Sequence, residues 1–324
     1  MATTRRSLLV GAGAAAAAAL LDKGEAHAAQ PKPLRGLTLA NLKTGLGVKL
    51  GDRVLDVARA AKKMGKKVPA TTDEVILGRN VEGLLAVAAA APKEFLIGEA
   101  AAQFGPCISN PEKIMMLGFN YRKHAMEAGV PIPTAPVLFN KYNNALNSHG
   151  GNIKLPVKAA KKFDYEVELQ VIIGKTARDV PEAEALDHVF GYATGNDFSA
   201  RDLQYRDGKT SQFMIGKTSD GFMPVGPWLV GAEVVGDPGK LAIECRVNGE
   251  QRQSSNTSDM IFSVAQIIAY VSTIMTLKPG DLISTGTPEG VINGKPPDKQ
   301  VWLKAGDKVA CSVEKLGELR FELT

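Results

Sequence analysis

Cysteine and histidine are both scarce in this sequence, which argues against two common kinds of site. The 324 residues include three cysteines, an odd number without CxxC spacing, so a disulfide framework and a thiolate zinc site are both disfavoured. The cysteines are predicted to be small core or surface residues: Cys107, Cys245 and Cys311. The four histidines are scattered, which argues against a histidine-rich zinc site: His27, His124, His149 and His188.

Several signatures of nucleotide and hydrolase chemistry are also missing. The sequence contains no GxGxxG, no HExxH and no GxSxG. The tripeptide GKT begins at residues 174, 208 and 216, but no glycine stands five places before any of them, so none is a phosphate-binding P-loop. Dinucleotide binding, zinc proteolysis and a nucleophilic serine are therefore not indicated.

Positive charge is in slight excess and is spread along the chain. Lysine and arginine together number 39, against 34 acidic residues. The basic clusters KKMGKK at 62–67 and KAAKK at 158–162 have no interleaved aromatic residues. Both are predicted to be solvated faces, and nucleic acid is not expected as a partner.

The N-terminus differs from the rest of the chain. Paired arginines, Arg5 and Arg6, precede an uncharged stretch at 7–21, and residues 26–28 read Ala-His-Ala. The stretch is shorter than the roughly 20 apolar residues that a membrane-spanning helix needs. We predict that residues 1–28 are a cleaved signal of the twin-arginine type, which exports the protein to the periplasm without a membrane span in its mature form. An uncleaved membrane anchor is the alternative.

The remaining chain divides into two segments. Residues 34–107 hold short alternating runs with glycine-containing turns and helical stretches near 56–64 and 80–91, which predict a small β-rich N-terminal domain. Residues 113–324 hold longer β-rich runs that do not alternate with helices. This pattern predicts an α+β fold that is predominantly β, arranged as a mixed β-sandwich or roll.

Two local signals in the second segment are strong. Asn248-Gly249 predicts a tight β-hairpin. Residues 258–275 carry apolar side chains at helical spacing, which predicts an amphipathic helix capped by Thr257 or Ser258.

Carboxylates are the candidate chemical groups. Glu166 and Glu168 lie one residue apart in FDYEVELQVIIGK, so both point to one face of a strand whose VII end is predicted to be buried on both sides. Asp197 follows another predicted strand. Each pair of carboxylates at about 4 Å repels by roughly 4 kcal/mol at an effective dielectric near 20, which one divalent ion would offset. Three oxygen ligands favour Mg²⁺ or Mn²⁺. Solvated glutamates and a helix-capping aspartate are the alternative.

Six motifs, in order, resemble those of the fumarylacetoacetate hydrolase family across residues 113–324. They are GFNYRKHAMEAG, FDYEVELQVIIGK, GYATGNDFSARDLQ, GKTSDGFMPVGPWLV, VNGEQRQ and LKPGDLISTGTPEGV. Segment 34–107 is similar to the N-terminal domain that many members carry. The resemblance implies a mixed β-sandwich roll, a homodimer, and action with Mg²⁺ or Mn²⁺ on 2-oxo or 2,4-dioxo carboxylic acids.

The resemblance also implies roles for individual residues. It makes Glu166, Glu168 and Asp197 the metal ligands, in agreement with the charge argument. It makes Lys217 the lysine that neutralises charge on substrate oxygens. Further positions in the matched motifs are expected to bind the substrate: Gln204, Thr287, Arg201 and Tyr121. For Lys217 the alternative is an exposed lysine, and for Thr287 a turn residue.

His124 and Glu127 form a candidate catalytic pair. If NYRKHAMEAG is helical, the two residues are three apart on one face, so the carboxylate can orient the imidazole. An imidazole held in this way can take a proton from water. In the family this segment is a lid, and the pair resembles the dyad of its hydrolytic and decarboxylating members.

The reaction outcome stays open, because members that share these motifs start from the same metal-bound enolate. The His124–Glu127 pair favours C–C bond hydrolysis of an acylpyruvate or fumarylacetoacetate type of substrate. The alternatives are isomerisation, tautomerisation or decarboxylation of hydroxymuconate-type or oxaloacetate-type acids, and a non-catalytic binding protein for oxo acids.

Overall fold

The computed structural model describes residues 32–208 and 210–324. The predicted signal at 1–28 lies outside these residues. The strands are β1 Thr38–Leu42, β2 Gly45–Leu50, β3 Arg53–Asp56, β4 Leu96–Gly98, β5 Ile114–Gly118, β6 Val137–Lys141, β7 Leu146–Asn147, β8 Gly151–Ile153, β9 Phe163–Asp164, β10 Val167–Ile173, β11 Val189–Asn196, β12 Ser199–Ala200, β13 Met223–Pro224, β14 Leu229–Gly231, β15 Ala242–Val247, β16 Glu250–Asn256, β17 Leu282–Ser284, β18 Lys308–Val313 and β19 Gly317–Leu323. The helices are α1 Lys32–Arg35, α2 Val57–Met64, α3 Thr72–Ile76, α4 Val81–Ala90, α5 Arg122–Glu127, α6 Arg201–Gln204, α7 Phe213–Lys217, α8 Ala232–Val235 and α9 Val264–Ile274.

One large sheet runs through both predicted segments. Its strand order is β4-β3-β2-β1-β14-β11-β10-β17-β5-β6. β1 pairs antiparallel with β14, with Leu39 opposite Leu229. The N-terminal strands therefore extend the sheet that carries β10 and β11, and side chains of both segments share a hydrophobic cluster.

A second, five-stranded sheet has the order β16-β15-β18-β19-β8 and packs against β10 and β11. The two sheets form the predicted mixed β-sandwich. The β15–β16 hairpin turns at Asn248 and Gly249, whose φ angles of 52° and 85° are those of a tight hairpin turn, so this prediction is confirmed. The three cysteines are free and buried, and Cys245 faces Cys311 across neighbouring strands with 3.7 Å between the sulfur atoms.

β10 is the central strand of the sandwich. It pairs with β11 on one side and β17 on the other, and every residue from Val167 to Ile173 is buried. The prediction that the VII run is buried on both sides is confirmed. Because both faces and both edges are covered, the backbone that carries Glu168 has little freedom to move.

The predicted start and cap of the long helix are wrong. α9 begins at Val264, and residues 257–259 form a separate 3₁₀ turn capped by Asn256. Ser263 caps α9: its hydroxyl accepts the N–H of Gln266, whose side chain accepts the N–H of Ser263. This reciprocal capping box requires a serine or threonine three residues before a glutamine or glutamate, a spacing that Ser263 has and that the predicted caps Thr257 and Ser258 lack. Within the described residues, no helix has the length and apolar character needed to cross a membrane.

Replacing Ser263 by alanine tests the corrected cap. Ser263→Ala removes the acceptor for the Gln266 N–H, so we expect a loss of about 1 kcal/mol in the free energy of unfolding, measured by urea denaturation. Ser258→Ala is the matched control and should leave the midpoint unchanged. A larger loss of stability in Ser258→Ala than in Ser263→Ala would instead support a helix that begins near residue 258.

Candidate functional site

Antiparallel pairing brings the three predicted carboxylates together. β10 pairs with β11 in a register that sets Val167 opposite Asn196, so Glu166 and Asp197 lie side by side just beyond the strands. The backbone N–H of Asp197 donates to the carbonyl oxygen of Glu166 at 2.8 Å. Glu168 points the same way as Glu166 because side chains alternate along a strand. One oxygen from each carboxylate lies within 4.8 Å of the other two, and all three residues are buried.

Glu168 is held by the neighbouring strand β17. Its Oε2 accepts the hydroxyl of Ser284 and the backbone N–H of Gly286, the latter at 2.8 Å. Gln170 Nε2 donates to Ser284 Oγ at 2.7 Å. Gly286 has a φ of 91°, which favours glycine, and a Cβ on Gly195 would stand 2.4 Å from Gln170 Nε2. Both glycines thus permit the network that orients Glu168.

Three buried cations contact the other two carboxylates. Lys217 Nζ donates to Glu166 Oε2 at 2.8 Å and to Asp197 Oδ2 at 2.6 Å. Arg201 donates to Glu166 Oε1. Lys141 Nζ lies 2.6 Å from Asp197 Oδ1.

These charges shift the pKa values of Glu166 and Glu168 in opposite directions. Burial by itself would raise the pKa of Glu166, but the charges of Lys217 and Arg201 hold that pKa well below its usual range. Burial, together with the negative charges of Asp197 and Glu166, raises the pKa of Glu168 well above its usual value. Glu168 is therefore the carboxylate whose charge the buried cations do not balance.

The predicted catalytic pair is also present. His124 and Glu127 lie on α5, with His124 Nδ1 3.4 Å from Glu127 Oε2. Both oxygens of Glu127 accept the backbone N–H of Gly290 at 3.1 Å. The imidazole stacks on Phe119 with 5.7 Å between ring centroids. Glu127 is thus fixed by the backbone of another loop and can orient the imidazole.

A cavity of about 430 Å³ opens onto these groups. The predicted site residues that line it are His124, Glu127, Glu166, Arg201, Gln204, Lys217 and Thr287. Gln204 accepts from Arg201 Nη1 at 2.9 Å and donates to Ser211 Oγ at 3.0 Å. Tyr121 is fully buried and does not line the cavity.

Thr287 and Lys217 are both held by contacts within the site. Its hydroxyl donates to the carbonyl oxygen of Val167 at 2.9 Å and accepts from Gln253 Nε2 at 2.8 Å. Lys217 is buried rather than exposed, with 3% of its side-chain surface accessible. The exposed-lysine alternative is therefore wrong for Lys217, and the substrate roles of both residues stay predictions.

Most of the chain matches a known protein family. Residues 113–324 match the family model described as "Fumarylacetoacetate (FAA) hydrolase C-terminal". The chain belongs to the fumarylacetoacetate hydrolase family.

Relatives within this family carry out different reactions. The chain is 45% identical over 214 residues to oxaloacetate tautomerase fahd2, mitochondrial, of Xenopus laevis, and the match covers 65% of each chain. It is 44% identical over 244 residues to 2,4-didehydro-3-deoxy-L-rhamnonate hydrolase of Sphingomonas sp. (strain SKA58), covering 75% of this chain and 84% of the relative. The chain is therefore an enzyme of this family, whose members include hydrolases and a tautomerase.

One solved relative was determined with a metal ion and a small oxo acid bound. The maleylpyruvate hydrolase of Sphingobium sp. SYK-6, in complex with manganese(II) and pyruvate, superposes with a TM-score of 0.71 and 32% identity, covering 89% of this chain and 98% of that one. The match confirms the mixed fold inferred from the strand pattern. Homodimer formation stays a prediction.

The residues of this fumarylacetoacetate hydrolase family member fit a hard divalent ion. The donor set is three carboxylates without imidazole or thiolate, which suits Mg²⁺ or Mn²⁺. The uncompensated charge at Glu168 is a second sign, because a dication beside it would remove the repulsion from Asp197 and Glu166.

The sequence interpretation missed three residues of the site. Asp164 accepts from Arg201 Nε at 2.9 Å and from the backbone N–H groups of Ile292 and Asn293 at 2.9 and 3.0 Å, so it anchors a cavity loop. Asp164 precedes Glu166 by two residues, and the same alternation that paired the glutamates could have found it. Lys141 and Ser284 carry no comparable signal, because each reaches the site only through strand pairing.

The network behind Glu168 can be tested by metal binding. Ser284→Ala removes a hydroxyl that orients Glu168, so we expect Mn²⁺ affinity to fall roughly 10- to 100-fold, measured by titration calorimetry on metal-free protein. Ser272→Ala, at a buried serine of α9, is the control and should bind Mn²⁺ normally. Equal affinity of Ser284→Ala and wild type would show that the hydroxyl does not support the site.

Proposed function

We propose that this protein is a divalent-metal-dependent enzyme that hydrolyses a carbon–carbon bond in a 2,4-dioxo acid of the acylpyruvate type. The observation that carries the proposal is the meeting of two groups at one cavity. Glu166 of the acidic triad lines the cavity, with carboxylate oxygens of Glu168 and Asp197 within 4.8 Å of its own, and the His124–Glu127 pair lines the same cavity. A metal-binding acidic triad and a water-activating base are the two elements that this reaction needs.

The acidic triad would hold the ion, with Ser284 and Gly286 orienting Glu168. When bound, the ion would polarise the 2-oxo carbonyl and stabilise negative charge on the substrate. Lys217 and Arg201 line the same cavity, and each can supply positive charge to the substrate carboxylate.

His124 has the geometry of a general base. Its Nδ1 faces the Glu127 carboxylate, which accepts, so the proton resides on Nδ1 and Nε2 is free to take a proton from water. The water oxygen then bonds to the C4 carbonyl carbon, the C3–C4 bond breaks, and C3 gains a proton. The products are pyruvate and the carboxylic acid of the acyl group.

The cavity walls favour an uncharged acyl group. The walls include the aromatic rings of Phe119, Phe139 and Phe213. Among the described lining residues the cations are Arg201 and Lys217, and both already contact carboxylates. Beside these three rings a second substrate carboxylate would meet apolar surface, which is costly without a partner. We therefore propose that acetylpyruvate-like substrates are preferred to dicarboxylates such as fumarylpyruvate.

Tautomerisation of oxaloacetate is the second candidate. It is supported by the 45% identity to the Xenopus laevis tautomerase. It needs proton transfer at C3 but no attacking water, and His124 is a suitable group for that transfer as well.

A substrate panel with a His124→Ala variant separates these functions. With Mn²⁺, we expect wild type to release pyruvate from acetylpyruvate, and His124→Ala to lose roughly 10²- to 10⁴-fold in kcat while binding Mn²⁺ normally. His188→Ala, at a buried histidine that does not line the cavity, is the control. Pyruvate release is followed with lactate dehydrogenase, and keto–enol exchange of oxaloacetate by ultraviolet absorbance. Exchange without pyruvate release would replace hydrolysis by tautomerisation, and binding without either reaction would indicate a non-catalytic protein.

We also propose that the protein is exported by the twin-arginine route, on the basis of Arg5, Arg6 and the Ala-His-Ala site at 26–28. Arg5→Lys, Arg6→Lys should keep the protein in the cytoplasm, whereas wild type should appear in the periplasmic fraction in a shortened form. Full-length wild type in the membrane fraction would support the uncleaved anchor instead. Retention of both proteins in the cytoplasm would refute export.

A further inference from the structure

Asp197 lies between two buried lysines. Lys141 Nζ is 2.6 Å from Oδ1, and Lys217 Nζ is 2.6 Å from Oδ2. Two ammonium groups on one metal-binding carboxylate are unexpected, because each repels a divalent ion at that carboxylate. Their other contacts show that the two lysines are not equivalent.

The ammonium group of Lys141 is hydrogen-bonded to backbone carbonyl groups as well as lying beside Asp197. It ends β6, and its Nζ donates to the carbonyl oxygens of Phe222 at 2.7 Å and Phe198 at 3.2 Å. Its side chain has no accessible surface, and it does not line the cavity. The two carbonyl groups belong to segments that flank the site, so Lys141 fixes Asp197 relative to both. Moving this ammonium group would break both hydrogen bonds, and the carbonyl oxygen of Phe222 would keep only the backbone N–H of Phe198, at 3.1 Å.

Lys217 differs from Lys141 because its ammonium group donates to carboxylates. Within the part of the chain that the structure describes, its hydrogen bonds go to Glu166 and Asp197, which are two of the three residues that fit the metal ion. Its Nζ also lies 5.3 Å from the centroid of the Phe139 ring, which lines the cavity. Lys217 itself lines the cavity, so its ammonium group has open space into which it can turn.

We propose that these two lysines act on metal binding in opposite directions. Lys141 is a positioning residue that holds Asp197 in place for the ion. Lys217 competes with the ion for Glu166 and Asp197, and turns toward the cavity when the ion binds, where its charge becomes available to the substrate. The proposal rests on the metal dependence proposed above, but it concerns metal binding in the absence of substrate.

Two methionine substitutions test the proposal, because each removes one ammonium group while keeping most of the side-chain volume. Mn²⁺ affinity is measured by titration calorimetry on metal-free, full-length protein without substrate. We expect Lys217→Met to bind Mn²⁺ at least 10-fold more tightly than wild type. We expect Lys141→Met to bind at least 10-fold more weakly, although it too removes a positive charge beside Asp197.

The signs of the two changes separate the explanations. If the lysines act only through their charge, both variants will bind Mn²⁺ more tightly; if both only support the fold, both will bind more weakly. Either result would overturn the proposal. Absence of Mn²⁺ and Mg²⁺ binding by wild type would instead refute the metal-dependent function, so the two failures are distinguishable.

A measurement on wild type keeps the proposal testable if Lys141→Met does not fold. Brief acetylation of lysines with and without saturating Mg²⁺, read by peptide mass spectrometry, reports whether each ammonium group leaves its carboxylate partners. We expect Mg²⁺ to speed labelling of Lys217 several-fold and to leave Lys141 unlabelled in both conditions. Slower labelling of Lys217 with Mg²⁺, or equal labelling in both states, would contradict its displacement by the ion.

Discussion

Repulsion among buried carboxylates is the constraint on which the site depends. Glu166, Glu168 and Asp197 have oxygens within 4.8 Å of one another in a buried position, where like charges are costly. Three buried cations offset part of this repulsion by pairing with Asp197 or Glu166: Lys141, Arg201 and Lys217. The compensation is uneven, because the pKa of Glu168 remains raised. A dication bound beside Glu168 would offset this remaining negative charge.

Strand pairing supplies the rigidity that such a cluster needs. β10 carries Glu168, while Glu166 and Asp197 directly adjoin β10 and β11, and β17 supplies Ser284 to orient Glu168. The second sheet packs on β10 and β11, and every residue of these two strands is buried. Groups held on paired strands lose less freedom on ligand binding than groups on loops, so less of the binding energy is spent on ordering them.

The loop at residues 290–293 supports the wall of the cavity. Asp164 anchors the loop at Ile292 and Asn293, and Gly290 of the same loop holds Glu127. The loop therefore links Arg201, which contacts both Asp164 and Glu166, to Glu127, whose carboxylate faces His124. In the proposed function, substrate binding and water activation would share this support.

Alternation along FDYEVELQVIIGK placed Glu166 and Glu168 on one face, and the order of six motifs identified the family and its sandwich fold, because periodicity and local motifs are properties of the chain itself. The same local logic would have found Asp164 and the Ser263 cap. Only tertiary structure decided that β1 pairs with β14, that Lys141 reaches Asp197, and that Ser284 reaches Glu168. These contacts join residues that are 56 or more positions apart, 197 − 141 being the smallest separation. Nothing in the neighbouring sequence of a lysine or serine records which distant strand will lie beside it.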